Sequence, residues 1–120
     1  MTINTVSGTP IDETSILKYL KNLINCFFKI LPMKENKEPT LLEYIKGFQR
    51  ELIGCNGLFP EFKEDGRLLT LINILQYMID NPDCDTRDVR RDVFNAISIC
   101  NKLHDYYSAR IAESNCEVNA

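Results

Sequence analysis

The chain lacks tryptophan, has a single histidine and has no pair of cysteines at CxxC spacing. One chain therefore cannot build a histidine-rich metal site or a two-histidine mechanism, and no zinc knuckle is indicated. Its odd set of five cysteines fits reduced thiols better than a disulfide framework. These are Cys26, Cys55, Cys84, Cys100 and Cys116. We expect no metal and no other cofactor.

Motifs that carry common chemistries are also missing. The sequence has no phosphate-binding loop and no GxGxxG, GxSxG or HExxH motif. No motif therefore supports nucleotide hydrolysis, dinucleotide binding, serine hydrolysis or zinc proteolysis. We expect a protein that is not an enzyme and has no catalytic residues.

Neither a long apolar run nor an excess of positive charge is present. The net charge is −3, which argues against wholesale binding to nucleic acid or to an anionic membrane. The longest apolar-rich stretch, residues 68–79, is too short to span a bilayer. Residues 1–10 contain no basic residue and no apolar core segment, so we expect a cytoplasmic protein without a signal peptide.

The pattern of apolar residues predicts the fold class. At 120 residues, 44% hydrophobic and 26% charged, the chain fits one soluble domain over residues 1–120. Four segments place apolar residues three and four apart, and no sustained period-two alternation competes. We predict an all-α protein, a compact bundle of four main helices with a long C-terminal helix. Residues 1–9 and 115–120 are expected to be flexible ends.

The first two predicted helices have local start and stop signals. Thr9 as N-cap and Pro10 at the first turn predict a helix over residues 11–31, which Pro32 ends. A capping box of Thr40 and Glu43 predicts the start of the second helix. That helix should end near residue 53, because the glycines that follow, Gly54 and Gly57, can adopt the left-handed conformation that ends a helix.

The third and fourth helices suggest an oligomer. The third, capped by Asp65 and ended by Pro82, has a narrow polar stripe, so it is either central in the monomer or half-buried in a homodimer. The fourth follows a cap cluster at residues 83–86 and meets no glycine or proline through Ser114. Its roughly 28 residues would measure about 42 Å, so its distal half would project or pair with a second chain.

Residues 54–66 form a connection with unusual apolar bulk. Leu58, Phe59 and Phe62 either cap the open end of the core or act as exposed anchors for a partner. A second candidate is the group of Arg87, Arg90 and Arg91 in the first turns of the fourth helix.

The helix dipole disfavours cations at that end of the helix. These arginines therefore either pair with neighbouring acids, such as Asp88 with Arg91, or form a patch for an anion or an acidic partner.

Two arrangements resemble reactive sites but have simpler interpretations. Cys100 and His104 lie four residues apart, a spacing suited to a thiolate and its base, but Cys100 is on the apolar stripe and packing explains it. Asp105, adjacent to the histidine, is expected to be turned about 100° away. A run of acids near the start of the fourth helix lacks the glycine and distal glutamate of an EF-hand, and acids favour helix N-termini in any case. The run comprises Asp83, Asp85, Asp88 and Asp92.

We therefore expect a noncatalytic protein-binding module: a small adaptor, inhibitor or regulatory subunit, with a homodimer as one state. Its apolar anchors would be Leu58, Phe59 and Phe62, and its charged rim the three arginines. The alternative is a nucleic-acid-binding regulator whose dimer places those arginines on phosphates. Supporting charge would then come from helix 2 or the following connection, namely Lys46, Arg50, Lys63 and Arg67.

Overall fold

Five α-helices and one short β-hairpin make up the described part of the chain. The computed structural model describes the backbone of residues 2–119 and the side chains of residues 3–113. Four helices are long and one is short, and the last has 34 residues, so the predicted all-α bundle with a long C-terminal helix is confirmed. The helices are α1 (Glu13–Glu35), α2 (Leu41–Leu58), α3 (Pro60–Asp65), α4 (Arg67–Asp80) and α5 (Thr86–Asn119).

The long helices pack as two pairs. Helix α1 lies antiparallel along α5, as the contacts of Glu35 with Arg90 and of Phe28 with Phe94 show. Helix α2 lies along α4, where the Gln49 amide donates to the Ile72 carbonyl oxygen at 3.3 Å. The apolar stripes of both pairs meet in one core, which includes Leu20, Phe27, Leu52, Leu71, Leu75, Val93, Cys100 and Leu103.

Helix α1 has different ends from those predicted. It begins at Glu13, because the Asp12 carboxylate caps it by accepting a hydrogen bond of 3.0 Å from the Ser15 amide. The prediction that Pro32 ends the helix was wrong, since this proline lies inside the last turn. Its missing N–H removes one intrahelical bond, while its carbonyl still accepts from the Asn36 amide at 2.9 Å.

Helix α2 begins at Leu41, as predicted, but without the predicted capping box. The Thr40 side chain makes no cap hydrogen bond, so the predicted capping box is absent. Gly54 and Gly57 are inside the helix, which continues to Leu58. The predicted left-handed exits at these glycines were therefore wrong.

The predicted connection at residues 54–66 contains the end of α2 and all of α3. Pro60 occupies the first turn of α3, where its missing N–H costs nothing. The left-handed exit is at Gly66, with φ of 83°, whose amide donates to the Phe62 carbonyl at 3.2 Å.

Helix α5 starts within the predicted cap cluster, whereas Gly66 and not the predicted Asp65 occupies the cap position of α4. The Asp65 carboxylate accepts from the Arg67 amide at 3.2 Å, and the Asp85 carboxylate accepts from the Asp88 amide at 3.4 Å. Helix α5 continues to Asn119, and the predicted flexible end at 115–120 lies where the side chains are outside the described residues.

Helix α4 is not enclosed within one chain, so of its two predicted states only burial in a homodimer stays a prediction. Leu69 and Tyr77 are 49% and 48% exposed, so one chain does not surround this helix.

A β-hairpin precedes the helices, where the sequence predicts a flexible end and no strand. Strand β1 (Thr2–Asn4) pairs antiparallel with β2 (Pro10–Asp12), and Ile3 lies opposite Ile11. Ile3 is 1% exposed and belongs to the core. Strands of three residues are too short to show a period, which is why this hairpin has no signal in the sequence.

No helix in the described part of the chain is long and apolar enough to cross a bilayer.

Candidate protein-binding site

The three predicted apolar anchors divide between surface and core. Leu58 is 44% exposed at the end of α2, and Phe59 is half-buried at the junction with α3. Phe62 is 2% exposed, and its ring packs edge to face on Phe59 and Tyr107, with centroids 5.3 and 5.7 Å away. Phe62 therefore caps the core and cannot be an exposed anchor, whereas Leu58 and Phe59 remain accessible.

Leu58 and Phe59 line an open groove of about 360 Å³, here called the hairpin groove. Its walls come from β2, α1, α2 and α3. The hairpin holds this end of α2 in place, because the Val6 amide donates to the Leu58 carbonyl at 2.8 Å. The main lining side chains are Ile11, Ile16, Tyr19, Cys55, Leu58, Phe59 and Phe62.

The groove has three titratable side chains among its lining residues: Tyr19, Glu51 and Cys55. Burial raises the pKa of the Cys55 thiol and, more strongly, that of the Tyr19 hydroxyl. The Glu51 carboxylate, which also lines the groove, raises both pKa values further. The thiol and hydroxyl are therefore neutral near pH 7, and Glu51 is the charged side chain among the lining residues of the groove.

The arginine cluster is largely neutralised by its neighbours. Arg90 pairs with Glu35 of α1 at 3.0 Å. Arg91 lies 3.7 Å from both Asp88 and Asp92. The predicted Asp88–Arg91 pair is thus present, and Arg87 is the only one of the three arginines without a described ionic partner. Exposed pairs of this kind contribute little to stability, but they cancel most of the local positive charge.

The structure does not bring the predicted anchors and the predicted rim together. Arg87 lies in the first turn of α5, whereas the aromatic cap of Phe62 packs on Tyr107 of the same helix. Twenty residues of helix separate these positions, which is about 30 Å. The predicted anchors and the predicted charged rim therefore lie at opposite ends of the bundle, and a partner would have to extend about 30 Å to touch both.

Cys100 is a core residue. Its side chain is 0% exposed, and burial raises the pKa of its thiol to about 12. A thiol of that pKa is protonated at neutral pH and is a poor nucleophile. His104 lies within 3.9 Å of Asp105, contrary to the expectation that this carboxylate is turned away.

The predicted acidic run does not gather into a site. Asp85 caps α5, and Asp88 and Asp92 face Arg91. In the described residues, no three histidine, cysteine, aspartate or glutamate side chains converge as metal ligands would.

A second cleft of about 390 Å³ lies at the opposite end of the bundle. Its floor is apolar, and the Lys34 ammonium donates to the Pro82 carbonyl at 3.1 Å across it. Its rim carries both signs of charge, Lys34 and Lys37 against Glu38 and Asp85. The rim therefore selects no particular ligand charge.

Most of the groove could not be predicted from the sequence. Ile11 lines it only because β2 folds beside the end of α2, and Glu51 carries no local sign of a binding role. Leu58 and Phe59 were found because apolar residues in a connecting segment are unusual.

No protein-family model, curated protein or solved structure significantly matches the chain.

Proposed function

We propose that the chain is a noncatalytic protein-binding module, an adaptor, inhibitor or regulatory subunit, that holds an apolar segment of a partner protein in the hairpin groove. The observation that carries this proposal is the position of Leu58. It is 44% exposed at the edge of an open, mainly apolar groove. Covering such a side chain is favourable by about 1 kcal/mol, and an apolar pocket with few polar groups is the usual form of a binding site.

Charge in the groove indicates the kind of segment that fits. Glu51 is exposed, and its negative charge reaches Tyr19 and Cys55 inside the groove. A partner segment with an apolar side chain followed by lysine or arginine would fill the groove and pair with Glu51. Complementary charge of this kind favours the correct partner and speeds association.

The cysteines favour a cytoplasmic location. Cys26, Cys55, Cys84 and Cys100 are all free thiols in the described structure. Free thiols persist in reducing compartments, so we place the protein in the cytoplasm. Cys116 lies outside the residues whose side chains are described.

The alternative function, binding to nucleic acid, has weaker support. Arg90 and Arg91 are paired with carboxylates, and Arg67 lies 3.5 Å from Asp65. Arg67 also stacks over the Tyr106 ring at 5.6 Å. Phosphate contacts would have to replace these interactions and overcome the net charge of −3.

The test is affinity capture from lysate of the native host with three forms of the tagged chain: wild type, Leu58→Glu and Leu69→Glu. Leu69 is the matched control, because it is 49% exposed but lies on α4 outside the groove. We expect a stoichiometric protein to be retained by the wild type and by Leu69→Glu after nuclease treatment, and to be lost with Leu58→Glu.

A charge variant and a test for captured nucleic acid complete this experiment. Glu51→Lys should weaken capture roughly tenfold if the partner carries a basic residue at that point. Capture of nucleic acid that nuclease and moderate salt remove would favour the alternative function. Equal loss of the protein partner from both leucine variants would contradict a role for the groove.

A further inference from the structure

Two phenylalanines form an exposed aromatic pair on the outer side of the bundle. Phe28 of α1 is 44% exposed and Phe94 of α5 is 51% exposed. Their rings contact each other edge to face, with centroids 6.2 Å apart. Each ring therefore keeps about half its surface in water even though it already packs on the other. A contiguous aromatic surface of this kind is typical of an interaction site.

The pair lies at the middle of a continuous face, here called the α1–α5 face. Residues seven apart in a helix share one side, within about 20°, so Lys21 and Glu35 lie on the same side of α1 as Phe28. The ion pair of Glu35 with Arg90 confirms that this side of α1 meets α5. Ile24 and Leu31 are half-buried along it. The apolar part of the face is the aromatic pair with these two neighbours, and the exposed side chains one turn away are polar, namely Asn25, Arg90, Arg91 and Ser98.

The charges on this face are arranged for pairing with a second copy. Lys21 precedes Phe28 by two helical turns and Glu35 follows it by two turns, about 10 Å in each direction. A two-fold axis through Phe28 would set the Lys21 ammonium of one copy opposite the Glu35 carboxylate of the other, and this contact would occur twice. Lys21 has no ionic partner of its own among residues 3–113. Glu35 is paired with Arg90 of its own chain at 3.0 Å, so the second copy's Lys21 would share this carboxylate with Arg90.

The face is large enough for a specific dimer. Helix α1 has 23 residues and is therefore about 34 Å long, and two packed helices are about 20 Å wide. The projected area of about 700 Å² is in the size class of a standard interface, which covers about 800 Å² on each partner.

We propose that two copies of the chain associate through the α1–α5 face, with Phe28 and Phe94 at the centre and reciprocal Lys21–Glu35 contacts at the edges. This assigns a surface other than α4 or the distal half of α5, on which the sequence suggested a dimer. On α4 the exposed Leu69 and Tyr77 lie among exposed polar side chains, Thr70, Asn73 and Gln76. The proposal does not depend on the hairpin groove.

Sedimentation equilibrium over a micromolar concentration range tests the association. The wild type should approach twice the chain mass of 13.9 kDa. Phe28→Glu should weaken association roughly a hundredfold or more, because it places a charge at the apolar centre twice per dimer. Ile53→Glu is the matched control: Ile53 is 50% exposed on α2, and its substitution should leave the dissociation constant unchanged.

A charge exchange tests the two-fold arrangement itself. Lys21→Glu alone and Glu35→Lys alone should each weaken association roughly tenfold, since each sets like charges opposite one another twice. The double variant with both changes should associate more tightly than either single variant, but short of the wild type, because Glu35→Lys also removes the pair of Glu35 with Arg90. Lys29→Glu, at an exposed position of α1 off this face, should have little effect. Circular dichroism of each variant checks that it is folded.

A wild type that stays monomeric throughout the concentration range would overturn the proposal. So would a dimer that Phe28→Glu leaves intact, because the contact must then lie elsewhere. Failure of the double variant to recover would show that Lys21 and Glu35 do not face each other across a two-fold axis.

Discussion

At the scale of single residues, burial decides what each reactive group can do. The Cys100 thiol lies in the core and its pKa is raised from 9.0 to about 12. Burial likewise raises the pKa of the Tyr44 hydroxyl to about 12. The same residues in an exposed segment would ionise near their ordinary values. Burial of the Cys100 thiol in the core and partial burial of Tyr44 therefore link stability to alkaline pH rather than creating a nucleophile.

The direction of the Cys100 pKa shift predicts how the free energy of unfolding changes with pH. The folded state raises the thiol pKa, so its stabilising effect is complete below pH 9.0 and is lost as pH rises from there toward about 12. One pH unit above 9.0, Cys100 alone should lower the free energy of unfolding by about 1.4 kcal/mol. Urea unfolding at a series of pH values, with reductant present, measures this loss.

The matched variants are Cys100→Ala and Cys84→Ala. The first should be less stable than the wild type at neutral pH, because it leaves a cavity, but should show a shallower loss at alkaline pH. Cys84→Ala removes a half-buried thiol. Its free energy of unfolding should therefore fall with rising pH as steeply as that of the wild type. Parallel pH profiles for the wild type and Cys100→Ala would show that the buried thiol is not the source.

At the scale of helices and turns, the glycines show how tertiary structure overrides a local signal. Gly54 and Gly57 were predicted to end α2, yet both are helical, and a Cβ at either would meet nothing within 4 Å. The left-handed conformation is found instead at Gly66, where φ is 83°. It lies there because α3 must turn sharply into α4.

Alanine at Gly54 and alanine at Gly66 should change the free energy of unfolding in opposite directions. Gly54→Ala should stabilise the protein by about 0.5 to 1 kcal/mol, since alanine favours a helix and has room. Gly66→Ala should destabilise it by about 1 kcal/mol, because an L residue is strained at that φ. Urea denaturation of both variants measures the difference. Destabilisation by Gly54→Ala would show that this glycine does end the helix.

At the scale of the whole molecule, the length of α5 separates two surfaces that the sequence suggested were one. The anchors Leu58 and Phe59 lie at the end of the bundle formed by the hairpin and α3, and Arg87 and Arg91 lie at the other end. A partner in the hairpin groove would have to extend about 30 Å to touch both. The two ends should therefore act independently.

Arg91→Glu accordingly should leave capture of a groove-bound partner unchanged, while Leu58→Glu removes it. The substitution breaks the pairs with Asp88 and with the largely buried Asp92 and places a third carboxylate beside them, so stability should fall by about 1 kcal/mol. The amount of partner retained from lysate measures the effect. A substantial loss of partner with Arg91→Glu would mean that the binding surface includes the start of α5.

The amino-acid sequence by itself determined the helical class, the long C-terminal helix and the cap cluster at residues 83–86, because these depend on local periodicity and on side chains near their own backbone. It also identified Leu58 and Phe59 as unusual. Only the tertiary structure decided that Phe62 is buried, that a three-residue strand places Ile3 in the core, and that Glu51 faces the groove. These features depend on contacts between residues distant in sequence, which helical spacing alone does not specify.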